Sequence, residues 1–251
     1  MLRILDARTG EPIDAARARR GLVRVHAHVP GFGATGLRVL LFADVLVRAL
    51  EIGGSPVWAT LTSAADPADP ADAARLRASA ADLGIRPFED HHDAGPGPAA
   101  TQTIDVLVPE ATATGGVRFE VAPVDSDGSP GTDIGAGPAP ADPTVLRLAL
   151  LARRDLPLHL DAGALSEAEG TLRRWRAAVA GWATRPSKPV PDDVRARLRA
   201  AWEDDLDVPG VLDVLRWVET SDLAEGARFE TYAYADRLLG LELTREIGAS
   251  L

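Results

Sequence analysis

The sequence predicts an α/β fold, with a shortened Rossmann-type parallel-sheet domain over residues 1–160 and an α-helical bundle over residues 161–251. Two observations carry this expectation. A strand, a glycine turn, a helix and a second strand follow one another between Leu22 and Leu61, which is the unit that builds parallel sheets. From Thr144 onward the apolar residues recur at helical spacing, with a boundary near Asp161. A length of 251 residues suits one large domain or two modest ones.

Residues 22–29 alternate apolar and polar side chains, as a strand with one solvated face does. The turn Gly31-Phe32-Gly33-Ala34-Thr35-Gly36 follows, then Leu37, Leu40, Leu41 and Val45 mark a helix that Gly53-Gly54 stops. Ser55 to Leu61 reads as the next strand, and Asp72 to Leu83 as a helix. Residues 89–102 read as a polar surface loop, and 103–108 and 117–121 as further strands. Asp125 to Pro143 is a long Gly/Pro/Asp-rich loop. The helical half divides into Val145–Arg153, Ser166–Trp182, Asp192–Glu203, Val211–Thr220 and Phe229–Leu239. Ser166 with Glu169 fits a capping box, and Pro209 suits a first helical turn.

A hydrophobic content of 46% is sufficient for a sizeable core. No run approaches the roughly eighteen apolar residues of a membrane span, and no signal segment is apparent at the start, so the expectation is a cytoplasmic protein. There is no cysteine, which excludes disulfides, thiolate zinc and cysteine nucleophiles. Lys188 is the single lysine, so lysine-dependent phosphate chemistry has no other source. A net charge of -10 argues against broad non-specific nucleic-acid binding, although a local basic patch stays open.

Several passages resemble the cysteinyl-tRNA synthetases and their mycothiol cysteine ligase relatives. Residues 202–212, Trp-Glu-Asp-Asp-Leu-Asp-Val-Pro-Gly-Val-Leu, are similar to an acidic-Leu-x-x-Pro passage of that family's helical bundle. Asp142-Pro143-Thr144-Val145-Leu146-Arg147 resembles its Asp-Pro-x-x-Leu-Arg helix. Leu158-His159-Leu160-Asp161 with Leu165-Ser166-Glu167 matches the approach to the bundle, and Phe229–Thr231 with Ala235–Leu241 its last helix. Phe42-Ala43-Asp44 resembles the helix after the first signature. The resemblance implies a class I synthetase fold, a nucleotide domain followed by a bundle, and chemistry that joins cysteine to ATP before transfer to an acceptor.

Against that implied chemistry, the sequence has lost each device. The first signature, His-x-Gly-His, falls on Gly33-Ala34-Thr35-Gly36, where both imidazoles are gone. The lysine-rich second signature falls near residues 128–133, which hold no lysine. The family's zinc set cannot be assembled without cysteine, and roughly 140 residues leave no room for the zinc-bearing insertion. Lost phosphate clamps remove several kcal/mol of transition-state stabilisation.

Gly31-x-Gly33-x-x-Gly36 stands after a strand and before a helix, the context of a phosphate-binding turn, yet no acidic residue ends the next strand and the nearest is Asp66. A tight structural turn and a retained phosphate contact both stay open, so Gly31, Gly33, Thr35 and Gly36 are the candidate binding residues. His26 and His28 share a strand face without an evident third ligand. Asp90-His91-His92-Asp93 and Asp125, Asp127 and Asp133 are weaker metal candidates, and no metal site is expected. Asp105 stands where the family carries an aspartate, without the glycine run that follows it there. Arg173, Arg174 and Arg176, with Arg195, Arg197 and Arg199, could meet RNA phosphates or face solvent. Trp175, Trp182, Trp202 and Trp217 read as core or interface anchors.

The expected function is a synthetase-like pseudoenzyme that binds a small molecule, ATP or another nucleotide, or a partner, through the degenerate cleft. The alternatives are a diverged AMP-forming aminoacyl ligase with a substrate other than cysteine, and a tRNA-binding accessory module. No catalytic residue is assigned.

Overall fold

The computed structural model describes residues 1–16, 21–63, 70–90, 100–113, 115–125 and 140–249. It opens on an antiparallel hairpin absent from the sequence reading, β1 (Arg3–Asp6) and β2 (Glu11–Asp14). Next come β3 (Val23–Val29), α1 (Ala34–Ile52), β4 (Val57–Ser63), α2 (Pro70–Asp82), β5 (Glu89–Asp90), β6 (Gln102–Leu107) and β7 (Val117–Glu120). These five strands, β3 to β7, form one parallel sheet in the order β5-β4-β3-β6-β7. The sheet is therefore of the Rossmann kind, with its strand order reversing between β3 and β6. Part of the expected loop 89–102 is thus strand: Glu89 and Asp90 extend the sheet beside Thr60 and Leu61.

The remaining elements are β8 (Val124–Asp125), α3 (Pro143–Leu150), β9 (Leu158–His159), α4 (Ala162–Trp182), α5 (Asp192–Glu203), α6 (Val208–Glu219) and α7 (Glu225–Leu239). β8 and β9 pair in parallel as a small separate sheet. The capping box expected at Ser166 lies inside α4. Asp161 caps that helix instead, its carboxylate accepting the Ala164 N–H at 2.7 Å. The Asp side chain competes better for an orphan N–H because it is charged. Pro209 does sit in the first turn of α6, which Asp207 caps.

α1 is apolar on nearly every side and is buried accordingly, from Leu37 through Val47. It packs on β3 with one face and against α3 and α7 with the other. A helix so placed can hold a charge only if the charge is met. Asp44, fully buried, is met by three arginines: Arg48 at 2.8 Å, Arg86 at 3.0 Å and Arg147 at 3.0 Å. Burial opposes ionisation of Asp44, but Arg147 and Arg48 outweigh it and hold the carboxyl below its ordinary range. Arg147, itself fully buried, also donates to Leu239 O at 2.6 Å and Leu83 O at 2.8 Å. One cation therefore neutralises a carboxylate on α1 and satisfies carbonyls at the C-terminal ends of α7 and α2. Gly240 makes this possible: its φ is +63°, and a Cβ there would stand 2.8 Å from Arg147 Nη2.

The hairpin ties the two halves together. Ala7 donates to Arg118 O at 2.9 Å along the free edge of β7, which covers that edge. Asp205 donates to Arg3 O at 2.9 Å, and its carboxylate accepts from Leu5 N at 2.8 Å. Asp142 caps α3 by accepting the Thr144 N–H at 3.0 Å and hydroxyl at 2.6 Å, and pairs with Arg176. Burial works to raise this carboxyl, yet the bonds from Thr144 and Arg176 bring it down to about 2. Among the described residues no helix is long and apolar enough to cross a membrane.

Two consequences are measurable. Asp44→Ala strands buried guanidiniums and should cost about 3–5 kcal/mol in urea unfolding. Asp142→Ala should cost about 1–2 kcal/mol at neutral pH. Because the folded carboxyl titrates below its unfolded value, its contribution is complete above that value and lost as pH falls toward about 2. The difference between wild type and variant should therefore vanish along that acid limb.

Candidate functional site

The carboxyl ends of β3 and β6 flank the point where strand order reverses, the usual ligand position in open α/β sheets. There the chain leaves β3 at Pro30, turns through Gly31–Gly33 and enters α1. A cleft of about 500 Å³ opens at this turn. Its wall includes Gly31, Gly33, Thr35 and Gly36, so the four candidates from sequence lie together in one cavity. Gly33 is the N-cap of α1 and offers no side-chain cap, and the first turn holds no acidic residue. The first intrahelical bond runs from Leu37 N to Gly33 O at 3.1 Å, so the N–H groups of residues 34–36 have no partner within the helix. The positive end of the helix dipole is thereby presented at the cleft.

The residues of this turn differ in what holds them. At Gly36 a Cβ would stand 2.1 Å from Gly31 O and 2.9 Å from Val29 Cγ1, so packing alone demands glycine. At Gly31 a Cβ would meet nothing within 4 Å. The Thr35 hydroxyl accepts the Val124 N–H at 3.0 Å, which fastens the turn to β8. Below it Arg38, fully buried, donates to Ala122 O at 2.7 Å, Arg153 O at 2.5 Å and Leu156 O at 3.1 Å. Burial lowers this guanidinium to about 10, still well above neutrality. It anchors the 122–123 and 150–156 segments by their carbonyls, a role the sequence did not signal because no nearby residue pairs with it.

Charge in the cleft is sparse. Arg75 of α2 is the one cation among its described lining residues and pairs with Asp72, while Glu110 adds a further carboxylate. Nothing in this set replaces the paired imidazoles and mobile lysines of the signatures. The segment 128–133, where the second signature is expected, lies outside the described residues, as do Asp66, His91, His92, Asp93, Asp127 and Asp133. Asp90 is described and pairs with Arg77, and Asp125 is exposed in β8.

The histidines lie on the other side of β3. Val23, Val25, Ala27 and Val29 are buried toward α1, and Arg24, His26 and His28 point to the opposite face. His26 bonds Thr60 at 2.7 Å and Thr62 at 3.0 Å, and His28 Nε2 bonds Asp105 at 2.9 Å. The two rings meet edge to face with centroids 4.4 Å apart. A parallel sheet is ordinarily apolar on both faces. Here neighbouring strands satisfy each other's polar groups, and Asp105 is drawn in as the partner of His28. Among the described residues no group of three or more His, Asp or Glu could hold a metal ion.

The arginines of the bundle separate into different roles. Arg176 is buried and donates to Thr144, Leu241 O and Asp142, so it is structural. Arg174 pairs with Glu219 at 2.9 Å and Arg199 with Glu203 at 2.8 Å. Arg195 lies 3.8 Å from Asp192, and Arg197 stacks 4.6 Å over Trp217. Trp175, Trp182 and Trp202 are core residues, while Trp217 is 39% exposed.

No family profile matches the chain. Over 107 residues it is 41% identical to the L-cysteine:1D-myo-inositol 2-amino-2-deoxy-alpha-D-glucopyranoside ligase of Thermobispora bispora, a match over 41% of the chain and 25% of that protein. The chain resembles cysteine ligases of the cysteinyl-tRNA synthetase-like kind. The ligase of the same name from Streptosporangium roseum is 40% identical over 111 residues, covering 41% of the chain and 26% of the ligase. That of Catenulispora acidiphila is 45% identical over 92 residues, covering 35% and 20%. The ligase-like chain thus matches about a quarter of the length of these relatives.

Gly36→Ala should lower stability by about 1–3 kcal/mol in thermal or urea unfolding, because its Cβ overlaps a backbone carbonyl. Gly31→Ala should stay within about 0.5 kcal/mol.

Proposed function

We propose that the chain is a cysteinyl-tRNA synthetase-like protein that no longer activates cysteine and holds a nucleotide or another phosphate-bearing small molecule at the Gly31–Gly36 turn. One observation carries the reading. The N-terminus of α1 opens uncapped into the cleft, and among the described residues that line it Arg75 is the one cation. Three peptide N–H groups and a helix dipole suit a phosphate oxygen in the ground state. Transition-state charge on a departing pyrophosphate needs mobile cations as well, and these contribute several kcal/mol where they are present. The site as built favours binding over chemistry.

The second reading, an AMP-forming ligase with a substrate other than cysteine, is favoured by the 40–45% identity to cysteine ligases. Arg75 would then be the phosphate cation, released from Asp72. The tRNA-binding reading draws less support, because Arg174, Arg195 and Arg199 already face carboxylates and Arg176 is buried.

Calorimetric titration with AMP and ATP separates these readings from a purely structural turn. Binding is expected, and Gly31→Trp, which extends into open cleft, should weaken it at least about tenfold, or about 1.4 kcal/mol. ATP–pyrophosphate exchange with cysteine and the other amino acids should stay at background. Exchange above background with an amino acid other than cysteine would establish the second reading, and with cysteine would overturn both. No binding of either nucleotide would overturn both as well.

A further inference from the structure

A second cavity, of about 300 Å³, lies under α2 and away from the glycine turn. Its walls are Leu40 of α1, Leu61 of β4, Leu76 and Ala80 of α2, and Ile85 and Phe88 of the segment entering β5. All six are apolar, and a cavity of this size accommodates a small ligand without rearranging the core. The polar part of the lining is Ser63, Asp90 and two arginines. Arg77 stands at the rim in an exposed pair with Asp90, a contact of the kind worth little in water. Arg86 belongs to the wall and reaches from it into the Asp44 cluster.

Arg86 is the informative group. Its Nε donates to Asp44 at 3.0 Å and its Nη1 to Glu51 at 2.6 Å, but its Nη2 is buried with no hydrogen-bond partner. An orphaned guanidinium donor costs more than an ordinary unmade bond, since the charge-assisted bond is the stronger kind. Arg48, Arg86 and Arg147 share two direct carboxylate partners, Asp44 and Glu51. Asp236, the next acid, spends its two oxygens on the Leu241 and Leu243 N–H groups. Of the three arginines, Arg147 is fully buried and Arg48 is 19% exposed, whereas Arg86 is 39% exposed. Arg86 is thus the outermost of the three arginines, at the wall of an apolar cavity, and its Nη2 is the donor left without an acceptor.

We infer that this cavity is a binding site for a small amphipathic acid, its apolar body among Leu40, Leu61, Leu76, Ala80 and Phe88 and its carboxylate on Arg86. A carboxylate in the cavity would supply the acceptor that Nη2 lacks, with the half-buried guanidinium turning from its present bonds to Asp44 and Glu51 to meet it. Burial of a chain of several methylenes drives entry. The inference is independent of the nucleotide reading, because none of these six residues lines the glycine-turn cleft.

The test titrates the full chain with octanoate, n-octanol and acetate, followed by amide and arginine side-chain NMR shifts. Octanoate should bind saturably and shift the signals of α2 and Arg86. Octanol should bind at least tenfold more weakly, and acetate should not bind. Ala73→Phe, at a half-buried lining position outside the ion-pair cluster, should abolish octanoate binding while leaving the fold unchanged. Arg86→Lys should bring octanoate down to the affinity of octanol. Equal binding of octanoate and octanol would overturn the assignment of an acid, and unchanged binding in Ala73→Phe would overturn the location. No shift with octanoate would overturn the site altogether.

Discussion

Arg147 is the residue on which the two halves of the molecule depend. It stands on α3, the first helix after the sheet, and its guanidinium is spent in three directions: the Asp44 carboxylate on α1, the Leu83 carbonyl after α2 and the Leu239 carbonyl at the end of α7. Each acceptor alone would be an expensive thing to bury. Together they need a cation of this shape, and the planar fork of arginine supplies donors in the required directions where lysine would offer a single point. A left-handed glycine, Gly240, clears the space. The Asp-Pro-x-x-Leu-Arg passage and the Phe-Ala-Asp passage, which look unrelated in the sequence, are therefore two ends of one ion pair.

The ion pair accounts for these two passages on packing grounds alone. Asp44 and Arg147 are needed to bury α1 between sheet and bundle, whatever the cleft does. Gly36 likewise answers to packing, because the approach of the Gly31 carbonyl requires a glycine there. Its presence is therefore accounted for by a tight turn, whereas at Gly31 the space is open.

The polar face of the sheet follows the same economy. His26, His28, Asp105, Thr60 and Thr62 bond each other across β3, β4 and β6, so these polar groups are met on a face that would ordinarily be apolar. The alternation in residues 22–29 announced such a face. It could not announce the partners, which come from strands more than thirty residues away.

Much was legible in the sequence because it is local. The glycine turn, the stop at Gly53, the proline in the first turn of α6 and the strand–helix–strand order are written in residue spacing, and the structure places them there. Gly31, Gly33, Thr35 and Gly36 were legible as neighbours of one turn. Local signals misled where two competed: Ser166 and Glu169 have a capping pattern, but Asp161 captures the helix start five residues earlier. What only the tertiary structure decided are the long-range encounters of charge. Arg38 among carbonyls, Arg176 under α3, the hairpin on the edge of β7 and the orphaned Nη2 of Arg86 depend on groups distant in sequence that packing brings together. A single sequence records that an arginine is present. Only the packed fold determines whether water, a carboxylate or a carbonyl receives it, because desolvation sets that choice.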